Sequence, residues 1–359
     1  MPSPDLQSVA FADLVDRAHW DRAKRAYPPN GKFFRRTRGE KAYWYYQGHA
    51  DGRQYTSYVG REGDPAVDAT VRDGNLANME YRARRSTVAT LLRAGHPRPD
   101  PVQASVVDAL ASAGVFEAGG VLVGTVAFQT MGGLVGRRLR GAALRTGDVD
   151  VAHGPDPLRV VTGTAPVDVA AALEGLGEGF RADLDPATGA VGRFVGPGVT
   201  VEFLVADTGR GSAGTMVPHP SLPNVAAQPL RHLEWLVEDP VRSILLAGPG
   251  VPVVVPDPRR FLVHKVLLSS LRRGGPKRDK DLEQAAALAV PLAASDPVGV
   301  GEAWNDATSR GPAWHRRLRS GAEGLDAEVR DLIDACARRA ADLDGERPLS
   351  SPTSATGPS

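Results

Sequence analysis

The sequence predicts a mixed α/β protein, a short mixed sheet flanked by helical regions, and three observations carry that expectation. An apolar strand, Gly120 to Val123, runs through Gly124-Thr125 directly into a helical stretch. Two later segments, Asp148 to His153 and Val199 to Val205, alternate at period two. From residue 257 onward the pattern is helical.

Taken in order, residues 11–27 read as a helix. Phe33 to Gly60 carries aromatic and Thr residues on either side of an Asp-Gly pair, the signature of a hairpin. A charged helical stretch follows to Arg93, and HPRPDP at His96 to Pro101 reads as a linker or helix stop. Val102 to Ala113 reads as a helix leading into the strand at Gly120, and the helix opened by Gly124-Thr125 runs to about Leu134. A helix and hairpin separate the two period-two strands, and the chain turns helical around Leu230 to Val237 before a short strand at Val251 to Val255. Asp257 followed by Pro258 is an N-cap and first-turn pair that starts a helix over Phe261 to Arg273. Further helices are expected over Asp281 to Val290, 301–319 and 322–343. The expected domains are residues 1–100, a basic helix and hairpin module; 101–256, a catalytic domain; 257–344, a helical domain; and 345–359, a Ser/Pro-rich disordered tail.

The 359 residues suffice for two or three domains, and 42% hydrophobic with 24% charged residues excludes a wholly disordered or fibrous chain. A net charge of +1 excludes a global pull toward nucleic acid or membrane. Charge is unevenly spread, however: Arg17 to Arg61 carries +8 and Arg259 to Lys280 +7, leaving −14 elsewhere. The single cysteine, Cys336, rules out an intramolecular disulfide framework and a Cys-based zinc site, so a reducing cytoplasm is the expected home. Neither an export signal nor a membrane span is expected.

The chemistry is expected at Gly124-Thr125, Asp148-x-Asp150 and Glu202. Period two puts Asp148 and Asp150 on one strand face, and Glu202 falls on the face of its strand away from Val199, Val201, Phe203 and Val205. Three converging carboxylates can hold divalent cations for phosphoryl transfer, and the amides at the start of the helix after Gly124 can hold phosphate. Read alone, the Asp-x-Asp pair is equally a solvated strand edge.

These motifs resemble the nucleotidyltransferase superfamily of the DNA polymerase beta type, and in particular a bacterial nucleotidyltransferase-like family of unsettled activity. The matching residues are LVGTVAF from Leu122, TGDVDVA from Thr146, VEFLV from Val201 and VPDPRRFLVHKVLLSSLRR from Val254, with KRDKDLEQA ending at Ala285. The resemblance implies the nucleotidyltransferase fold, with a helical C-terminal domain closing over the nucleotide. It implies Asp148 and Asp150 as metal ligands, Glu202 as third ligand or as base toward the acceptor, Gly124 and Thr125 as the phosphate turn, and Mg2+ or Mn2+ as the metal. The implied reaction moves an NMP from an NTP to an unspecified acceptor with release of pyrophosphate. Thr125 stands where many members have Ser, and the long Gly-to-Asp separation leaves Gly136 to Gly147, with Arg137, Arg138, Arg140 and Arg145, as a substrate contact or a connection.

Lys265, Arg272 and Lys280 are further candidates for binding the nucleotide's phosphates, since cations there can neutralise a triphosphate. Lys265 lies in an apolar segment, where a charge needs a partner; a solvated helix face is the alternative. The hairpin at 33–60 joins Arg35, Arg36, Arg38 and Lys41 to Tyr43, Trp44, Tyr45 and Tyr46, a composition suited to RNA or DNA, or equally to a small sheet with a core face and a wet face. His153, His219 and His264 have no ligand spacing, GGLVG at Gly132 is no dinucleotide fingerprint, and neither a serine elbow nor a nucleophilic cysteine occurs. The rivals to an enzyme are a non-catalytic nucleic-acid-binding or regulatory protein that keeps the fold, and a toxin or defence component.

Overall fold

Asp followed by Pro opens four of the helices in the computed structural model: α2 (Pro65–Arg93), α3 (Pro101–Ala113), α7 (Pro258–Leu271) and α9 (Pro297–Ser309). The reason is shared. Proline at the first helical position lacks an N–H that would have no partner anyway, and the preceding carboxylate accepts from the next free amides. Asp64 accepts from Ala66 N at 2.9 Å, Asp100 from Val102 N at 2.9 Å and Asp257 from Arg259 N at 2.8 Å. The structure describes residues 4–20, 26–50, 53–139, 144, 146–154, 167–177, 179–186, 189–207, 209 and 215–346.

The N-terminal part comprises α1 (Pro4–Trp20) and a three-stranded antiparallel sheet of β1 (Lys32–Arg38), β2 (Lys41–Ala50) and β3 (Arg53–Arg61), followed by α2. The helix expected over 11–27 therefore starts earlier and ends earlier. Phe11, Leu14, Val15 and Ala18 of α1 pack with Val88 and Leu91 of α2 and with Ile244 and Leu246, which fixes α1 over the rest of the molecule. The Asp-Gly turn of the hairpin lies outside the described residues.

The central sheet contains β4 (Gly120–Val123), β5 (Asp148–His153), β8 (Val199–Ala206), β10 (Ala226–Leu230) and β9 (Val217–Pro218) in that spatial order. Two more strands, β6 (Arg181–Leu184) and β7 (Val191–Gly196), join it through β7, which pairs antiparallel with the first half of β8. The sheet is mixed, as expected: β4 runs antiparallel to β5, while β5 and β10 run parallel to β8. Among the described residues, two helices lie between these strands in sequence, α4 (Gly124–Leu134) directly after β4 and the short α5 (Val169–Glu174) after β5. Val149, Val151, Val201 and Phe203 are fully buried, as their alternation dictates. One apolar core continues from α3, β4 and α4 through β5 and β8 into the C-terminal helices.

The segment 230–237 is only briefly helical, as α6 (Leu233–Leu236), and the expected strand at Val251 is β12 (Val251–Val255), paired antiparallel with an unforeseen β11 (Val241–Leu245). After α7 comes α8 (Pro276–Ser295), longer than the expected Asp281 to Val290 and tolerating Pro291 in its last turns. The two helices expected over 301–319 and 322–343 are three: α9, α10 (Pro312–Ala322) and α11 (Ala327–Glu346). Gly311 at φ +121° followed by Pro312 makes the break, since no L side chain adopts that backbone readily. Most of the expected tail, 347–359, lies outside the described residues, as do Arg140 and Arg145.

Candidate active site

Strand register brings the acidic residues toward one another. Asp150 of β5 is level with Glu202 of the parallel neighbour β8 and, on its other side, with Val123, the last residue of β4. Asp148 is level with Thr200, two residues nearer the strand start, and is exposed, whereas Asp150 and Glu202 are half-buried. Burial first, then the negative charges of Glu202 and Asp148, push the Asp150 carboxyl up to about 7, with Lys265 and Lys280 pulling the other way. Among the described residues, no three Asp, Glu, His or Cys side chains stand as a ready-made metal cage.

β4 ends against this carboxylate. Gly124 has φ +66°, a left-handed backbone, and a Cβ built on it would overlap Asp150 Oδ2. Glycine is thus required twice at one position, by conformation and by space. α4 starts there with no side-chain cap on its first amides. The first N–H groups of a helix have no partner within it, and together with the helix dipole they favour an anion. Thr125 is buried, and its hydroxyl accepts a long bond from the Gln284 amide of α8 at 3.4 Å.

The cations expected to meet phosphate have a different first partner. Lys265 of α7 is buried and donates to Asp281 Oδ1 at 2.9 Å, with its ammonium 5.1 Å from the Phe261 ring centre. Arg272, at the C-cap of α7, donates to Asp281 Oδ2 at 2.5 Å. The two turns between Lys265 and Arg272 therefore do put them on one side, where both converge on a single buried carboxylate from α8. Lys280, half-buried beside them, is pulled below the ordinary lysine range by burial and by Lys265, against the attraction of Asp281, Asp148 and Asp150.

Asp281 and Gln284 are the residues that sequence reasoning undervalued. A signal existed for Asp281: a lysine amid Phe261, Leu262 and Val266 demands a counter-ion, and Asp281 is an acid in the basic run that follows. For Gln284 no signal existed. Around this core, Phe128 of α4 stacks on Phe261 at 6.0 Å, and Arg260 donates to Glu238 and Asp239 while lying 5.0 Å from the Trp235 ring. The indole of Trp235 donates to Asp306 of α9 at 2.6 Å.

His219 is held within the backbone of its own turn. His219 Nδ1 accepts from the amides of Ser221 and Leu222 at 3.2 and 3.1 Å, and burial with nearby His153 pulls it down to about 3.

A strand and glycine turn opening a helix, with two level carboxylates on the adjoining strands, is an α/β arrangement suited to phosphate-bearing ligands. The chain belongs to a nucleotidyltransferase family, whose model matches residues 102–309. The match spans the sheet, the site and the helices α7 to α9. No curated protein and no solved structure matches. Among the described residues, no helix is long and apolar enough to cross a membrane.

Proposed function

We propose that the protein transfers a nucleoside monophosphate from an NTP to an acceptor, releasing pyrophosphate, with residues 101–256 as the catalytic domain and 257–344 closing over the nucleotide. The observation that carries this reading is the level pairing of Asp150 with Glu202, with the charges of both Glu202 and Asp148 acting on Asp150, beside the uncapped start of α4. The donor set fits a divalent cation: all three offer hard carboxylate oxygens, and Mg2+ is ordinarily held by one or two carboxylates with water and phosphate completing its shell. Asp150 with Asp148 or Glu202 would hold it. Bound Mg2+ or Mn2+ would supply charge neutralisation at the transferring phosphate.

The chain's own groups would do the rest. Gly124 lets backbone and phosphate approach closely, and the amides of Thr125 and Val126 receive phosphate oxygens. Lys280 offers positive charge next to Asp148 and Asp150, while Lys265 and Arg272 act from their pairing with Asp281. Glu202 would share the metal or take the acceptor's proton. Nucleic acid is the acceptor or partner class suited to the basic aromatic sheet, and a reducing cytoplasm suits the lone, buried Cys336.

Calorimetry with ATP, GTP, CTP and UTP in the presence of Mg2+ tests the reading, with labelled NTPs incubated with total RNA and protein to find the acceptor. Magnesium-dependent binding, and transfer abolished by Asp148→Ala and by Asp150→Ala in folded protein, is the expected result. A protein that binds no NTP with Mg2+ present would overturn it.

A further inference from the structure

The two faces of the β1–β3 sheet divide its aromatic residues by parity. On one face Phe33, Tyr46 and Tyr55 cluster with Tyr27, with ring centres 4.9 to 6.1 Å apart. That face is core: Tyr46 is fully buried and donates to Pro28 O, and Phe33 lies against Gly74 of α2. The opposite face carries a second, separate cluster. Phe34 of β1 stacks on Tyr45 of β2 at 5.8 Å, and Tyr45 meets Tyr58 of β3 at 5.6 Å, forming a row across all three strands, with Tyr43 at 6.1 Å from Tyr58.

In this second cluster Tyr58 is 57% exposed and Phe34, Tyr43 and Tyr45 are half-buried, while the flanking Lys32, Arg36, Arg38, Lys41 and Arg61 are all exposed. The register places these five cations on the same face as the rings, and none of the residues paired on that face is acidic. The Arg36 guanidinium lies over the Phe34 and Tyr45 rings, 5.2 and 5.3 Å from their centres, in cation–π contact with both. Arg35, on the covered face, is taken by Glu62 at 3.0 Å. A merely wetted sheet face has no need of a four-ring row, and soluble surfaces normally mix both signs of charge.

We propose that this open face of the β1–β3 sheet binds single-stranded nucleic acid, with bases stacked along Phe34, Tyr45 and Tyr58 and the backbone phosphates met by the surrounding Lys and Arg side chains. Stacking selects the single strand, because a duplex hides its base faces, and it tolerates any sequence. This site shares no residue with the one at Asp150 and would hold a single strand whether or not transfer occurs.

Fluorescence anisotropy on the full chain tests it, using labelled oligo(dT) and oligo(U) of about twelve nucleotides, a length within the range of known single-strand sites, and a duplex of equal length. Single strands should bind more tightly than the duplex, and the two oligomers together show whether DNA or RNA is preferred. Tyr58→Ala and Tyr45→Ala should each weaken single-strand binding by about fivefold to a hundredfold, while Tyr58→Phe retains it. Arg36→Ala should weaken binding and flatten its salt dependence by a log–log slope of about 0.7. Circular dichroism confirms folding, and Tyr58, being largely exposed, is the ring whose loss least disturbs packing. Equal affinity for duplex and single strand, or ring-deleted variants that bind as the parent does, would overturn the proposal. NTP calorimetry reads the other site separately, so failure of one reading is distinguishable from failure of the other.

Discussion

The carboxylate of Asp150 fills the space that any side chain on residue 124 would occupy. Strand β5 and the start of α4 are thereby locked in one arrangement by a missing methyl group.

Gly124→Ala is accordingly expected to destabilise the fold by about 2–4 kcal/mol, combining a left-handed backbone penalty of about 1–2 kcal/mol with overpacking against Asp150. In an Asp150→Ala background only the backbone penalty should remain. A double-mutant cycle by urea unfolding reads the coupling, and strictly additive costs would show that the two residues do not meet.

Stability should also vary with pH through Asp150. Its carboxyl rises from the ordinary 3.8 to about 7 in the folded protein, so the folded state holds this proton more tightly than the unfolded state does. The favourable contribution is present at low pH and is lost as pH climbs from about 4 to about 7. Relative to Asp150→Asn, the parent protein should lose stability steadily across that window and run parallel above it. Parallel curves throughout would refute the shift.

His264 works in the opposite direction. Burial, with the charges of Lys265 and His232 adding, pulls it from 6.5 to about 3, and its Nε2 has no partner among the described residues. A base with a depressed value stays neutral when folded, so its contribution is full above 6.5 and fades as pH falls toward 3. His264→Leu should therefore lose less stability between pH 7 and pH 5 than the parent does. Urea midpoints at the two pH values provide the measurement.

Asp281 is expected to be the most costly of the charged residues to remove. Asp281→Ala leaves Lys265 buried without its counter-ion and frees Arg272, a loss of about 3–5 kcal/mol. Lys265→Met should cost less, because Asp281 keeps Arg272, and the double variant should be more stable than Asp281→Ala alone. Chemical unfolding of the three variants decides; an equal cost for all would mean the charges are not coupled.

What the sequence made legible follows from where the chemistry is local. The run from Val102 through Leu134 could be read because an apolar strand, a glycine and a helix succeed one another without interruption, and β5 and β8 because alternation alone sets their faces. Alternation set the face of its own strand on which each of Asp150 and Glu202 lies, whereas the register that makes them level could not be read from it. β10 and β11 escaped notice because AAQPL and VRSIL are short and lack clean alternation. Likewise, the split of the last helices rests on a single Gly-Pro step inside continuous helix-forming sequence. The pairing of Lys265 with Asp281 joins residues on different helices, so the sequence signalled the need for a counter-ion but not which acid supplies it.

Gln284 and Asp281 sit three residues apart on α8, and one reaches Thr125 while the other reaches Lys265. A minimal version of this protein, cut after α7, would therefore keep a greasy lysine with nothing to neutralise it and a threonine stripped of its amide. The helical half is not an accessory that engineering can discard; the strand half depends on it to be complete.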